Sequence, residues 1–504
     1  MVCNAQALGT CSEAEGTNTV AGGDSSHAEG LNTSASAVAG HAEGYLTQSN
    51  APAAHAEGGG SIASALYAHA EGQETRAQGD NSHAEGFATL ANISAHAEGY
   101  LAQAIGPASH AEGGGSIASG LYAHAEGRET RALGDQSHAE GLIAIAQGLN
   151  AHAEGELTQA TGLDSHAEGL ETLASGQSAH AEGESNTASG RASHAEGNLT
   201  VAGGIFAHAE GQLASASGDV SHAEGSQTVA SGQASHAEGA ITTASGFASH
   251  AQGVDTAANS FVGHAEGWGT STNNLDGAHV MGRFGMANEL AYSWYLANGT
   301  SGDAPSLAAK ILSNGNVKID GTVSSPAADY AEMFETADGN PIPPGYFVTL
   351  EADKVRIARP GDRFVVGVSS GKPAFLSDSG ELRWQAKYAT DAWGATLYHD
   401  VQVTAVTGSD GAILVPARTE RRPVLNPAWD PAIPYVPRMQ RPEWVAVGML
   451  GKLLVRDDGS CAAGGLCRPD DNGVATASEA GYYVLKRTGE NQVLMLMGNA
   501  YGIG

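Results

Sequence analysis

Small and polar residues alternate in stretches of five between about residues 11 and 282, and the stretches recur at a fixed interval. In Ser235-His236-Ala237-Glu238-Gly239, a period of two puts Ser235, Ala237 and Gly239 on one face and His236 with Glu238 on the other. This pattern predicts strands. No helical spacing of apolar residues runs through the region. The frame His-Ala-x-Gly occurs eighteen times from His27 to His264, always fourteen residues apart except for thirteen between His83 and His96. The stretch from His41 to Gly86 is closely repeated from His96 to Gly141, so the array grew by duplication. Residues Ser12 to Gly16 read as a degenerate first copy and His279-Val280-Met281-Gly282 as the last.

A fixed period of this length predicts a solenoid with two short strands and two turns per coil. The residue before each histidine is only Ser, Ala or Gly, which suits the interior of a thin roll. The residue after each glycine varies freely, as at Leu31, Tyr45, Gln73 and Trp268, and is expected in solvent. The histidine and glutamate columns are nearly invariant, Gln252 being the one replacement, so they face something specific. Named members are His27 with Glu29, His41 with Glu43, His236 with Glu238, and His264 with Glu266.

The frame S-x-A-x-G followed by T-x-A-x-G resembles the YadA-like head repeat of trimeric autotransporters. That resemblance implies a trimeric left-handed parallel β-roll over about 11–282. In the family the two x positions are usually aliphatic and pack against the other subunits; here they are His and Glu. Coils stacked about 4.8 Å apart would make a rod of roughly 90 Å.

Charge sharpens the question. The first 267 residues carry 30 acidic side chains against four basic ones, Arg76, Arg128, Arg131 and Arg191. Carboxylates stacked about 5 Å apart repel by roughly 1 kcal/mol in water and about 3 kcal/mol at an effective dielectric of 20. Pairing each with a histidine would relieve this and raise the histidine pKa. A structural ladder at a subunit interface, without metal or cofactor, is the preferred reading. A column of metal ions and a solvated surface ladder stay open as alternatives.

At 504 residues the chain has room for two or three domains. Its net charge of −31 argues against a nucleic-acid partner. No apolar run reaches membrane-spanning length, and the N-terminus shows no secretory signal, so neither membrane insertion nor autotransport is expected. The four cysteines, Cys3, Cys11, Cys461 and Cys467, are expected as free thiols, although the last two are close enough in sequence for a disulfide.

The composition changes after Gly282. Residues 283–328 carry Asn-Gly turns at Asn298-Gly299 and Asn314-Gly315 and read as a β-rich neck. From Asp329 to Gly504, strand-like runs at 345–358, 363–370, 401–406, 443–455 and 482–487 predict a small β-barrel or β-sandwich. The stretch Arg421 to Trp444, with six prolines and four arginines, reads as an extended loop or as an arm on a neighbouring subunit. The fold class is thus all-β, with segments 1–10, 11–282, 283–328 and 329–504.

At the last boundary stands Ala328-Asp329-Tyr330-Ala331-Glu332. Two carboxylates beside a peptide bond can serve as general acid and base, or they are simply charged residues at a strand start. The motif resembles the opening of the C-terminal intramolecular chaperone of phage tail spikes and neck appendages, a family of glutamic-type self-cleaving peptidases. That resemblance covers about 329–504 and implies cleavage between Ala328 and Asp329, with Asp329 and Glu332 catalytic and no external substrate. The expected protein is a homotrimeric phage tail fibre or spike. It would be assembled in the host cytoplasm, carried in the virion tail, and would engage an unidentified receptor on the bacterial surface, a glycan being one candidate. The alternative is a cell-surface adhesin or structural solenoid with a permanent C-terminal cap. An ice-binding solenoid using the Thr column is disfavoured, because each coil offers one Thr and several copies replace it.

Overall fold

The computed structural model describes residues 4–380, 386–408, 411 and 413–501. Cys3 lies outside them. The chain divides into two compact units, Met1–Gly321 and Thr322–Gly504.

The first unit is a parallel β-solenoid. Each coil contributes a five-residue strand that begins at its histidine and a two-residue strand, as in His236–Ala240 and Thr243–Ala244. Each strand pairs in parallel with its equivalent in the next coil, His236 opposite His250 and Thr243 opposite Ala257. The short interval does not shift the register, since His83 still faces His96 and Leu90 faces Gln103. The missing residue comes out of the turn between Ala91 and His96, where one bend position is absent.

Inside the roll stand stacked small side chains. Ala237 and Ala244 are fully buried, and one alanine cluster runs from Ala51 to Ala265. Ser235 is buried too, its Oγ donating to the carbonyl of Gly232 at 2.7 Å. Each methyl contributes only about 0.8 kcal/mol, so stacking leans heavily on coil-to-coil backbone bonds such as His236 N–H to the Ser249 carbonyl at 2.9 Å. The threonine column is interior, with Thr228 and Thr242 fully buried, so it offers no face to ice.

The glycine of the repeat has a reason beyond smallness. Gly239 has φ +102°, and a methyl group there would lie 2.2 Å from the carbonyl oxygen of Gly253 in the next coil. Only glycine tolerates both the left-handed backbone and that approach.

The neck strands continue the roll. His264–Ser271, His279–Met286 and Trp294–Asn298 pair in parallel, His279 opposite Trp294. Leu307–Ile311 and Val317–Ile319 then form an antiparallel pair, joined through Asn314-Gly315. Val280, Tyr295 and Leu312 replace the alanines with larger apolar groups. The buried Tyr295 hydroxyl donates to the Leu290 carbonyl at 2.6 Å.

The second unit is built on a ten-stranded sheet. Its long central strand, Trp444–Arg456, pairs antiparallel with Gln492–Tyr501, with Gly367–Ser369 and with the strand Asp329–Glu335 that opens the unit. Phe347, Val455, Val484 and Met495 are fully buried in its core. The expected run 345–358 is a hairpin, Phe347–Glu351 with Lys354–Ile357. Between Pro423 and Trp444 there is no strand, only a 3-10 turn at Arg438–Gln440. Arg438 fastens the end of that stretch to its own unit, lying 4.0 Å above the Trp444 ring and pairing with Asp378.

Cys461 and Cys467 are buried free thiols, and Cys11 is an exposed one. Burial pushes the Cys467 thiol up to about 12, and that of Cys461 is raised as well, also by desolvation first.

Candidate cleavage junction and the histidine–glutamate column

Asp329 is the first residue of its strand and is almost completely buried. It faces Gly451 across the antiparallel pair, and the register slips between Tyr330 and Ala331. Two glycines of the partner strand, Gly451 opposite Asp329 and Gly448 opposite Ala331, approach the junction. A methyl group on Gly448 would lie 2.9 Å from Asp329 Oδ2, and one on Gly451 would lie 2.1 Å from the Ala328 carbonyl oxygen. These two glycines leave room for the Asp329 carboxyl and for the bond that precedes it. The Lys452 backbone N–H donates to the Ala328 carbonyl at 3.3 Å, while the Asp329 carbonyl accepts from Ala374 N–H at 2.8 Å. Both carbonyls of the junction are therefore held.

The Asp329 side chain is different. Its Oδ2 is buried and has no hydrogen-bond partner. A buried polar atom left unpaired costs about 1–3 kcal/mol, and such atoms are found where function retains them.

Glu332 is half-buried, opposite Val447 on one side and Ser377 on the other. The pleat of the strand sends Asp329, Ala331 and Met333 to one face and Tyr330 with Glu332 to the other. The two carboxylates singled out by sequence thus sit on one strand but point to opposite faces. The contributions of Gly448, Gly451 and the Lys452 amide were missed. The available signal was a pair of glycines inside an apolar strand pattern, which marks a close backbone approach.

In the solenoid the histidines form a continuous stack. From His41 to His264 successive rings are coplanar to within 27°, as in His138 over His152 at 4.8 Å and His222 over His236 at 4.8 Å. Most glutamates lie beside the histidine of their own coil, at 3.9 Å for His41 and Glu43 and for His264 and Glu266, and 3.7 Å for His27 and Glu29, whereas Glu238 lies beside His250 and not His236. Where Gln252 breaks the carboxylate column, His250 turns to Glu238 of the preceding coil at 3.4 Å. These separations exceed a charge-assisted hydrogen bond of about 2.7–2.9 Å.

The expected rise in histidine pKa is overturned. Desolvation, followed by repulsion from the stacked neighbours, holds His55, His110, His138 and His222 below the ordinary value, and the adjacent glutamates offset this only in part. The physical reason is first the burial of the rings and then their ring-on-ring stacking, which brings like charges closer than sequence alternation alone implies.

Residues 286–492 match the family described as Peptidase_G2, IMC autoproteolytic cleavage domain. The pre-neck appendage protein of Bacillus phage phi29 is 36% identical over 168 residues, 32% of this chain and 18% of that protein. The pre-neck appendage protein of Bacillus phage B103 is 31% identical over 191 residues, 36% of this chain and 21% of that protein. The matched region thus spans about a fifth of the length of these relatives. The crystal structure of the C-terminal fragment of bacteriophage phi29 gene product 12 is 33% identical, covering 34% of this chain and 100% of that one at a TM-score of 0.28. The match to the IMC autoproteolytic cleavage domain family covers residues 286–492, and so takes in the Ala328-Asp329 motif and the strand that it opens.

Proposed function

We propose that the chain is a subunit of a homotrimeric phage appendage that cleaves itself between Ala328 and Asp329. The carrying observation is the buried, unpartnered Oδ2 of Asp329 on the residue that follows the scissile bond. Cleavage is a hydrolysis: water adds to the Ala328 carbonyl carbon, the bond to the Asp329 nitrogen breaks, and a carboxylate and an amine result. One carboxyl group takes the proton of the attacking water and another group protonates the leaving nitrogen. The Lys452 N–H, already on the Ala328 carbonyl, favours charge that develops on that oxygen. Glu332, on the opposite face of its own strand, acts on the junction of a neighbouring subunit, so cleavage follows assembly.

Trimerisation is supported by the roll itself. Its interior holds only small side chains, while Leu46, Leu101, Leu157, Leu199 and Leu213 are exposed at the same place in their coils, in a column that also carries Glu74, Glu129, Glu171 and Asp255. Burying these leucines between subunits supplies apolar contact that a single roll lacks. The histidine–glutamate ladder lies along that interface. The solenoid would meet a receptor on the bacterial surface, and the C-terminal domain would assist trimerisation in the host cytoplasm before the appendage joins the virion.

The test is a cleavage time course on freshly expressed full chain at several dilutions. Cleavage that accelerates with protein concentration, alongside a trimer in sedimentation, supports the reading. Concentration-independent cleavage by a monomer overturns the assembly step.

A further inference from the structure

The imidazole Nε2 atoms are all in the same unusual condition. Nineteen of them, from His27 to His279, are buried and have no hydrogen-bond partner. They point into the furrow between the histidine and glutamate columns, with the nearest carboxylate oxygens mostly 3.5–4.0 Å away. That is too long for a good hydrogen bond. It is close to the separation of two ligands on one ion, since atoms at about 2.0–2.1 Å from a tetrahedral centre stand about 3.4 Å apart. Along the stack, triads of two histidines and one glutamate bring their ligand atoms within 4.8 Å of one another, among them His83, Glu85, His96; His110, Glu112, His124; and His152, Glu154, His166.

We propose that the furrow binds a row of divalent transition-metal ions of the zinc class, each held by the Nε2 atoms of two successive histidines and one glutamate between them. Two imidazoles and one carboxylate suit Zn²⁺, Ni²⁺ or Co²⁺ and not Mg²⁺ or Ca²⁺, which take oxygen ligands. A remaining position stays open to water. The half-buried stack also favours neutral imidazole, the form that ligates metal.

The geometry sets the stoichiometry. The triads His83, Glu85, His96 and His96, Glu98, His110 share His96, and one Nε2 has one lone pair. Adjacent triads therefore cannot fill together, and ions occupy alternate intervals, about 9.5 Å apart. Nineteen nitrogens then accommodate at most about nine ions, two nitrogens to each. Every ligand comes from one chain, so the proposal depends on neither cleavage nor trimerisation.

The experiment uses the full chain without an affinity tag, stripped with chelator, equilibrated with Zn²⁺, desalted and counted by elemental mass spectrometry. Several zinc ions per chain are expected, up to that ceiling. Combining His83→Gln, His110→Gln, His138→Gln and His166→Gln breaks every successive pair between His69 and His180, and is expected to lower the ceiling from about nine ions to about six. Fewer than one ion per chain, or an unchanged count in a folded variant, overturns the proposal. Should the variant not fold, carbethoxylation of the unsubstituted chain decides: Zn²⁺ is expected to protect the repeat histidines, and equal modification with and without it contradicts the proposal.

Discussion

Gly451 and Ala328 approach so closely that a methyl group on Gly451 would stand 2.1 Å from the Ala328 carbonyl oxygen. Gly451 also has φ +112°. Gly451→Ala therefore meets a steric clash as well as backbone strain, together costing about 1–3 kcal/mol, and displaces the junction from the Lys452 amide. A lower Tm of the C-terminal unit and slower appearance of cleaved chain on a denaturing gel are expected.

The same logic applies inside the roll. Gly239→Ala drives a methyl into the carbonyl of Gly253 from a left-handed backbone, whereas Ala240→Ser alters the freely varying position beside it. The first is expected to lower stability by about 1–3 kcal/mol, the second by less than about 0.5 kcal/mol. Thermal melts of the two variants check the difference.

The pH response of the metal-free roll follows from the histidine stack. His138 is faced by His124, His152, Glu140 and Glu126, and its folded-state pKa lies below 6.5, desolvation being the largest cause. An unfolded chain with ordinary histidines then binds more protons than the folded one, so stability rises with pH. It is fully present above about 6.5 and is lost as pH falls from there through the folded-state values. In chelator, the Tm of the roll is expected to drop by several degrees across this window, with no loss on the alkaline side from histidine. A Tm that falls as pH rises above 6.5 would contradict the stacking account.

In the second unit, Arg487 lies 2.6 Å from the fully buried Asp457 carboxylate, which also accepts from Cys461 N–H at 3.2 Å. Arg487→Ala leaves that carboxylate without its cation at a cost of about 3 kcal/mol. A markedly lower urea midpoint is expected, and an unchanged one would show that solvent replaces the pairing.

Much of this architecture was legible in the sequence because the repeat makes each position report its own environment. Eighteen versions of Ser-His-Ala-Glu-Gly reveal which side chain faces inward, and the burial of Ser235 and Ala237 agrees with that alternation. The glycine's role was not legible, since Gly239 is explained by a carbonyl of the next coil, a contact that alternation does not encode. Nor was the histidine chemistry: sequence places Glu238 beside His236, but only stacking shows that His236 meets another imidazole at 4.8 Å. In the second unit the strands Trp444–Arg456 and Gly481–Gly489 were visible as apolar runs, whereas Leu466–Pro469 is short and carries Arg468 and Pro469. Asp329 was picked out by its motif, and its burial depends on Gly448 and Gly451, more than a hundred residues away.

Self-cleavage at the junction is decided by N-terminal sequencing of the smaller band that freshly expressed full chain gives on a denaturing gel. The expected result is a fragment of 176 residues beginning Asp329-Tyr330-Ala331-Glu332, formed without added protease and absent from Asp329→Asn and Glu332→Gln proteins. A chain that stays at 504 residues under all conditions, or a fragment that begins elsewhere, would contradict it.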